Sequence, residues 1–262
     1  MSWKAAIYLA GLAPVVAQTT ELPAVSFKMS CSQLVLDRID PLVDPGIVGS
    51  PHLHQIVGGS SFNATMSPAE DPAAKSSCTT CTFVDDFSNY WTGVMYFQAR
   101  NGSYMRVRQL GSLFHDEARD GGITVYYFSP STRAQKVKIR AFAPGFRMRT
   151  GHPNTRALPP HLVGKEAELM NGITYTCLQR NDTRYTHLSY GFPEDPCPQG
   201  ILTTLPFPTC WDGKNLDSPD HSSHVAFPVE GAGYLGAGIC PGSHPINIPQ
   251  VVLEIRWDTR PF

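Results

Sequence analysis

Residues 92–110 read TGVMYFQARNGSYMRVRQL. Asn101-Gly102 stands between two runs rich in aromatic and β-branched residues. This is the strongest short-range signal of a β-hairpin, because Asn and Gly tolerate the left-handed backbone of a tight turn. Strand-like runs recur outward from it, at 54–57, 90–99, 104–110, 123–128, 136–142, 173–178, 225–227 and 251–257, each between turn-forming residues. KVKIRAF at 136–142 alternates polar and apolar, which predicts a half-exposed strand with Val137, Ile139 and Ala141 on one face. Proline (23) and glycine (22) are plentiful, and the helix signal is confined to 162–170. Residues 65–80 and 191–211 look like long surface loops, the second pinned by Cys197 and Cys210. The expected fold is mainly β: a single-domain β-sandwich or jelly-roll-like structure with long loops and little helix.

The chain starts with Met1, a basic Lys4 and an apolar run over 5–17, followed by polar QTT. That run is shorter than the roughly 20 residues of a membrane span, so 1–17 is expected to be a secretory leader. A short extension at 18–30 and a domain over 31–262 would follow. Sequons at Asn63, Asn101 and Asn181 lie among turn-forming residues, where N-glycosylation would be accessible. Seven cysteines in an exported chain predict a disulfide framework with one thiol left over. Cys78-Thr-Thr-Cys81 has redox spacing but no strand-then-helix surroundings, so it predicts a structural bridge or two separate bridges. Net charge is −1, only 16% of residues are charged, and no basic stripe exists, which argues against nucleic acid. No second apolar span follows the leader. The expected location is extracellular or in a cell wall, with no membrane contact after leader cleavage.

Polar chemistry concentrates in WDGKNLDSPDHSSHVAFP, residues 211–228. Asp217-Ser218-Pro219-Asp220 is turn chemistry, since Asp and Ser bond nearby amides and proline presets its own dihedral. His221 and His224 follow on what should be a loop, and His244 is a further candidate. Upstream, His52 and His54 would share one face of an extended segment, and Gly58-Gly59 permits a sharp turn or a close ligand approach. An imidazole held by an aspartate can act as a general acid or base, and neutral imidazoles ligate metals. Asp212 or Asp217 would fix a tautomer, Lys214 and Asn215 would hold a polar or anionic ligand, and Tyr90, Trp91 and Trp211 would offer flat faces to sugars. Asp85-Asp86 is a candidate carboxylate pair. No Gly-X-Ser-X-Gly motif, HExxH motif or calcium-loop spacing occurs.

The segments DRIDPLVDPGIVGSPHLHQIVGGSSFNATM, CTTCTFVDDFSNYWTGVMYFQARNGSY, FPTCWDGKNLDSPDHSSHVAFP and HPINIPQVVLEIRWDT resemble the DUF1996 family of secreted, mainly fungal proteins. The DGKNLDSPDHSSH run is the most specific of these. The resemblance implies an exported fungal protein of no settled activity. Members joined to WSC-type or other carbohydrate-binding modules imply a polysaccharide or cell-wall glycan as partner. Members also continue past the WDT segment into a His-Gly-Asp-Tyr region, so a domain shortened at its C-terminus is expected here.

The leading expectation is therefore a protein that binds or cleaves polysaccharide and needs no cofactor. His54, Asp217 and His224 would transfer protons at a glycosidic linkage or beside a uronic acid. Trp91, Trp211, Asp212, Lys214, Asn215 and His244 would hold the sugar. A second expectation is a secreted metal-binding protein in which His52, His54, His221, His224 and His244 take copper or zinc. A third is a structural wall protein in which 211–228 builds a rigid loop.

Overall fold

The structure is a computed structural model that describes residues 26–111, 121–129, 137–151, 173–179, 188–231 and 238–262. The leader at 1–17, the helix at 162–170 and the sequon at Asn181 lie outside those residues. The described chain is mainly β, built of several antiparallel sheets with no closed barrel. None of its helices is long and apolar enough to cross a membrane.

The main sheet has the order β1 (Ser26–Ser32), β8 (Gly122–Phe128), β17 (Gln250–Asp258), β11 (Ile201–Pro206), β9 (Thr174–Cys177) and β10 (Leu188–Ser189), with β7 (Arg108–Leu110) also paired to β17. β17 is central and buries one apolar face, that of Val251, Leu253, Ile255 and Trp257, while its other face carries Gln250, Val252, Glu254 and Arg256. A three-stranded sheet of β2 (Val35–Asp37), β3 (His54–Gly58) and β4 (Asn89–Gly93) packs on it. Val57 and Tyr90 of this sheet join Met29, Val125 and Leu253 of the main sheet in one core.

Three smaller sheets complete the fold. β12 (Cys210–Trp211) lies between β13 (Val225–Ala226) and β16 (Ile246–Asn247). Its Trp211 joins Val225 and Ile248 in a second small core that Phe142, Phe146 and Leu216 border. β14 (Glu230–Gly231) pairs β15 (Gly238–Ile239), and β5 (Tyr96–Gln98) pairs β6 (Tyr104–Arg106) in the Asn101-Gly102 hairpin. There the Gly102 amide reaches the Ala99 carbonyl at 2.9 Å, the Ala99 amide reaches Ser103 at 2.8 Å, and Gly102 has φ +84°. The turn therefore spends its left-handed position on glycine, the one residue with no Cβ to clash.

Several expected strands take a different form. Runs 90–99 and 104–110 each break in two, because β4 and β7 serve other sheets while β5 and β6 pair only with each other. KVKIRAF forms no ladder among the described residues. Its burial alternates from Val137 to Arg140, and one parallel bridge from Ile139 to Asn247 of β16 is its pairing among the described residues, so the pattern produced an extended segment that touches a strand at one point without building a ladder. Among the strands outside the expected runs, the two longest are β1 and β11. β11 lies inside the expected loop 191–211, where flanking prolines read as turns. β1 begins at Ser26, so part of the expected 18–30 extension belongs to the sheet. The expected loop 65–80 carries one helical turn, α1 (Pro72–Lys75), capped by Asp71.

Disulfides join Cys31 to Cys81, Cys177 to Cys197 and Cys210 to Cys240, and Cys78 is the exposed free thiol. Cys78 and Cys81 are thus unbridged to each other, and the left-over thiol is identified. Gly58 makes a close approach, but to protein: a Cβ there would stand 1.9 Å from the Ser88 carbonyl oxygen.

Candidate functional site

The 211–228 segment is knitted together by its own short polar side chains. Asp212 Oδ1 accepts from the amides of Lys214 and Asn215 at 2.8 and 2.9 Å, and its Oδ2 accepts from Asn215 Nδ2 at 2.6 Å. Desolvation is the largest single influence and opposes these bonds, but the bonds together outweigh it, so the Asp212 carboxyl is held below its ordinary range. Asp220 is lowered much further, chiefly by the Ser223 amide at 2.9 Å and also by the Ser218 hydroxyl at 2.8 Å. Asp217 Oδ1 accepts from the Ser218 amide at 2.8 Å and from His221 Nδ1–H at 2.7 Å.

His224 and Trp211 are the floor of this turn rather than its working face. His224 is 1% exposed; its Nε2–H donates to the Arg147 carbonyl at 2.7 Å and its Nδ1 meets Ser218 Oγ at 2.8 Å. Its ring lies 5.4 Å from Phe146. Trp211 is buried, donates from Nε1 to the Asn215 carbonyl at 2.6 Å, and carries the Arg140 guanidinium 5.6 Å from its ring centre. His244 anchors a neighbouring loop by donating from Nε2 to the Ser223 carbonyl at 3.0 Å. Lys214 and Asn215 are exposed.

His221 is the exception. It is the only non-glycine residue with positive φ among those described, at 56°. Its Nδ1 is taken by Asp217, while no hydrogen bond from the described residues occupies Nε2.

Residues 40–262 match the family described as Domain of unknown function (DUF1996). The chain belongs to the DUF1996 family. No curated protein and no solved structure matches it significantly.

In this DUF1996 chain no hydrogen bond or ion pair joins the three residues of the expected catalytic trio to one another. His54 opens β3, is 7% exposed, donates from Nδ1 to the Ile39 carbonyl at 3.1 Å and stands 3.8 Å from Asp40. Burial lowers its pKa despite the nearby Asp40. No hydrogen bond or ion pair links it to the 217–224 turn, where Asp217 holds His221 and His224 is sealed below. The expected metal ligands separate in the same way. His52 and His54 meet edge to face, 6.1 Å between ring centres, while His221, His224 and His244 each bond protein groups on the other loops. Among the described residues no group of three or more His, Cys, Asp or Glu is placed to hold a metal ion.

The flat faces expected to take sugar are also largely occupied. Trp211 and Tyr90 are buried, and Trp91 is half-buried, edge to face with Phe62 at 5.8 Å. Asp86 is engaged by the Tyr90 hydroxyl at 2.7 Å, and Tyr90 in turn meets Tyr127 at 2.5 Å. Burial beside these groups pushes the Tyr127 phenol up to about 12.

Exposed aromatic surface lies instead on the β5–β6 hairpin. Tyr96 pairs directly with Arg106 and Gln98 with Tyr104, so these four side chains share one face. Every residue of both strands is exposed, Tyr96 to 46% and Tyr104 to 64%. The hairpin was signalled in the sequence but its register was not: a two-residue Asn101-Gly102 turn would pair Gln98 with Met105, whereas the loop also takes in Arg100, with Ala99 bonded to Ser103, and Gln98 pairs with Tyr104. Asn63 and Asn101 are exposed, with Asn101 at the hairpin tip.

Proposed function

We propose that this DUF1996 chain is an exported protein that binds polysaccharide on the β5–β6 hairpin, without cleavage by His54 or His224. One observation carries the proposal: Tyr96, Gln98, Tyr104 and Arg106 form a single exposed face that no other described side chain covers. Tyrosine rings offer apolar surface to the C–H faces of sugars while their hydroxyls stay available for hydrogen bonds, and a contiguous exposed face of this kind is otherwise costly to leave in water. Three disulfides support an oxidising compartment, and exposed Asn63 and Asn101 are available for N-glycosylation there. The test is co-sedimentation with insoluble fungal and plant glycans, with reducing ends assayed in the supernatant. Binding that weakens in Tyr104→Ala, with no new reducing ends, is expected. Binding indifferent to Tyr104 would overturn the proposal.

A second reading, proton transfer by Asp217 and His221, is favoured by the left-handed backbone at His221 and its open Nε2. Strained backbone of this kind is concentrated at functional sites. New reducing ends that vanish in His221→Ala while binding survives would decide for it.

A further inference from the structure

We infer that the ligand of the hairpin is an acidic glycan, one bearing uronate carboxylates. This rests on the proposal that the hairpin binds polysaccharide, and it names the class of sugar. The first support is charge. Residues 90–110 contain Arg100, Arg106 and Arg108 and no aspartate or glutamate, in a chain whose net charge is −1. Arg108 lies opposite Asp258 in the β7–β17 register and has a local counter-charge. Arg100 and Arg106 are exposed and have no ion pair or side-chain hydrogen bond within the described protein. Two cations on a two-stranded ribbon without an acid of its own are complementary to an anionic partner.

The second support is geometry. Tyr96 faces Arg106 across the ribbon, and Gln98 faces Tyr104. The two tyrosines stand on one diagonal and Gln98 and Arg106 on the other, with diagonal neighbours about 7–8 Å apart. A sugar ring stacked on either tyrosine therefore has a polar side chain beside it both along the strand and across it. Arg106 presents a planar fork that takes a carboxylate with two parallel hydrogen bonds, which a neutral hydroxyl cannot match. The opposite face of the ribbon carries Phe97 and Met105, and Phe97 stacks on Phe262 with ring centres 4.6 Å apart. That contact tethers the ribbon to the end of the chain and leaves the Tyr/Gln/Arg face outward. Arginine interleaved with aromatic rings also suits single-stranded nucleic acid, but a chain closed by three disulfides works where carboxylated glycans, not nucleic acids, are the abundant polyanions.

The experiment measures binding of the full chain to polygalacturonate, to the same polymer with its carboxyls reduced to alcohols, to neutral β-glucan and to single-stranded DNA, at low and high salt. Expected results are binding to polygalacturonate that weakens with salt and about tenfold or more on carboxyl reduction. Arg106→Gln should weaken it comparably and Tyr104→Ala about two- to tenfold, with melting unchanged, while the exposed Lys138→Gln has no effect. Tyr104-dependent binding to neutral β-glucan equal to that of the acid polymer would overturn the acidic ligand and leave the binding proposal intact. Absence of binding to every glycan would overturn both. DNA binding as tight as polygalacturonate binding, or equal losses in Lys138→Gln and Arg106→Gln, would reduce the effect to bulk charge and overturn the inference. Carboxyl reduction tests the unaltered protein, so the result survives even if a variant fails to fold.

Discussion

His224→Ala separates a structural brace from a reacting group. The ring is 1% exposed, and its removal orphans the Arg147 carbonyl and frees Ser218 from its 2.8 Å contact. Each polar group left unsatisfied in the interior costs about 1–3 kcal/mol. The space beside Phe146, whose ring is 5.4 Å away, adds a packing loss. Together these come to about 3–5 kcal/mol. For a domain of this size each kcal/mol moves the melting temperature by about 2–4 °C, so a fall of about 6–20 °C is expected. His224→Gln, which retains an N–H for the Arg147 carbonyl, should recover part of it. The assay is a calorimetric melt paired with glycan co-sedimentation well below the transition, where the variant should bind as the parent does. A melt shifted by less than about 2 °C, or normal melting with glycan binding abolished, would refute the brace and return His224 to the working surface.

Two further outcomes follow from buried polar groups. Burial lowers the pKa of His54, so between its folded value and the unfolded value of about 6.5 the unfolded chain binds more protons than the folded one. Its contribution to stability is therefore complete above about pH 6.5 and is lost as pH falls from there toward the folded pKa; melts at pH 7 and 5 should differ more in the parent than in His54→Gln, and equal pH dependence in the two would refute the assignment. Both amide atoms of Gln109, 2% exposed, are buried without a hydrogen-bond partner among the described residues. Gln109→Met keeps the side-chain volume and removes that desolvation cost, so melting should rise by about 2–8 °C, and a fall would show that the amide has a partner such as an internal water.

Features that depend on neighbours in the chain were legible in the sequence. Asn101-Gly102 specified its hairpin because turn preference is a property of the residues in the turn. The strands at 54–57, 123–128 and 251–257 were legible because runs rich in β-branched and aromatic residues bounded by turn residues favour extended backbone. Asp217 as the holder of an imidazole was legible too, though its partner is His221, four residues on, rather than His224, because the left-handed backbone at His221 turns that ring back on Asp217. β11 was not legible: its prolines argued for loop, and only the ladders offered by β9 and β17 on either side make a strand of it.

What the sequence determined by itself is the mainly β character of the chain, its hairpin, and a cysteine set suited to bridges. Tertiary structure alone decided which histidines meet, which cysteine stays free and which aromatic rings face water. Strand and turn preferences act over a few residues, whereas burial and pairing depend on which segments the sheets bring together across fifty or more. Hence His54 and His224, alike as residue types, end buried against different partners, and Tyr96 and Tyr104 stay exposed on a hairpin whose strands pair only with each other.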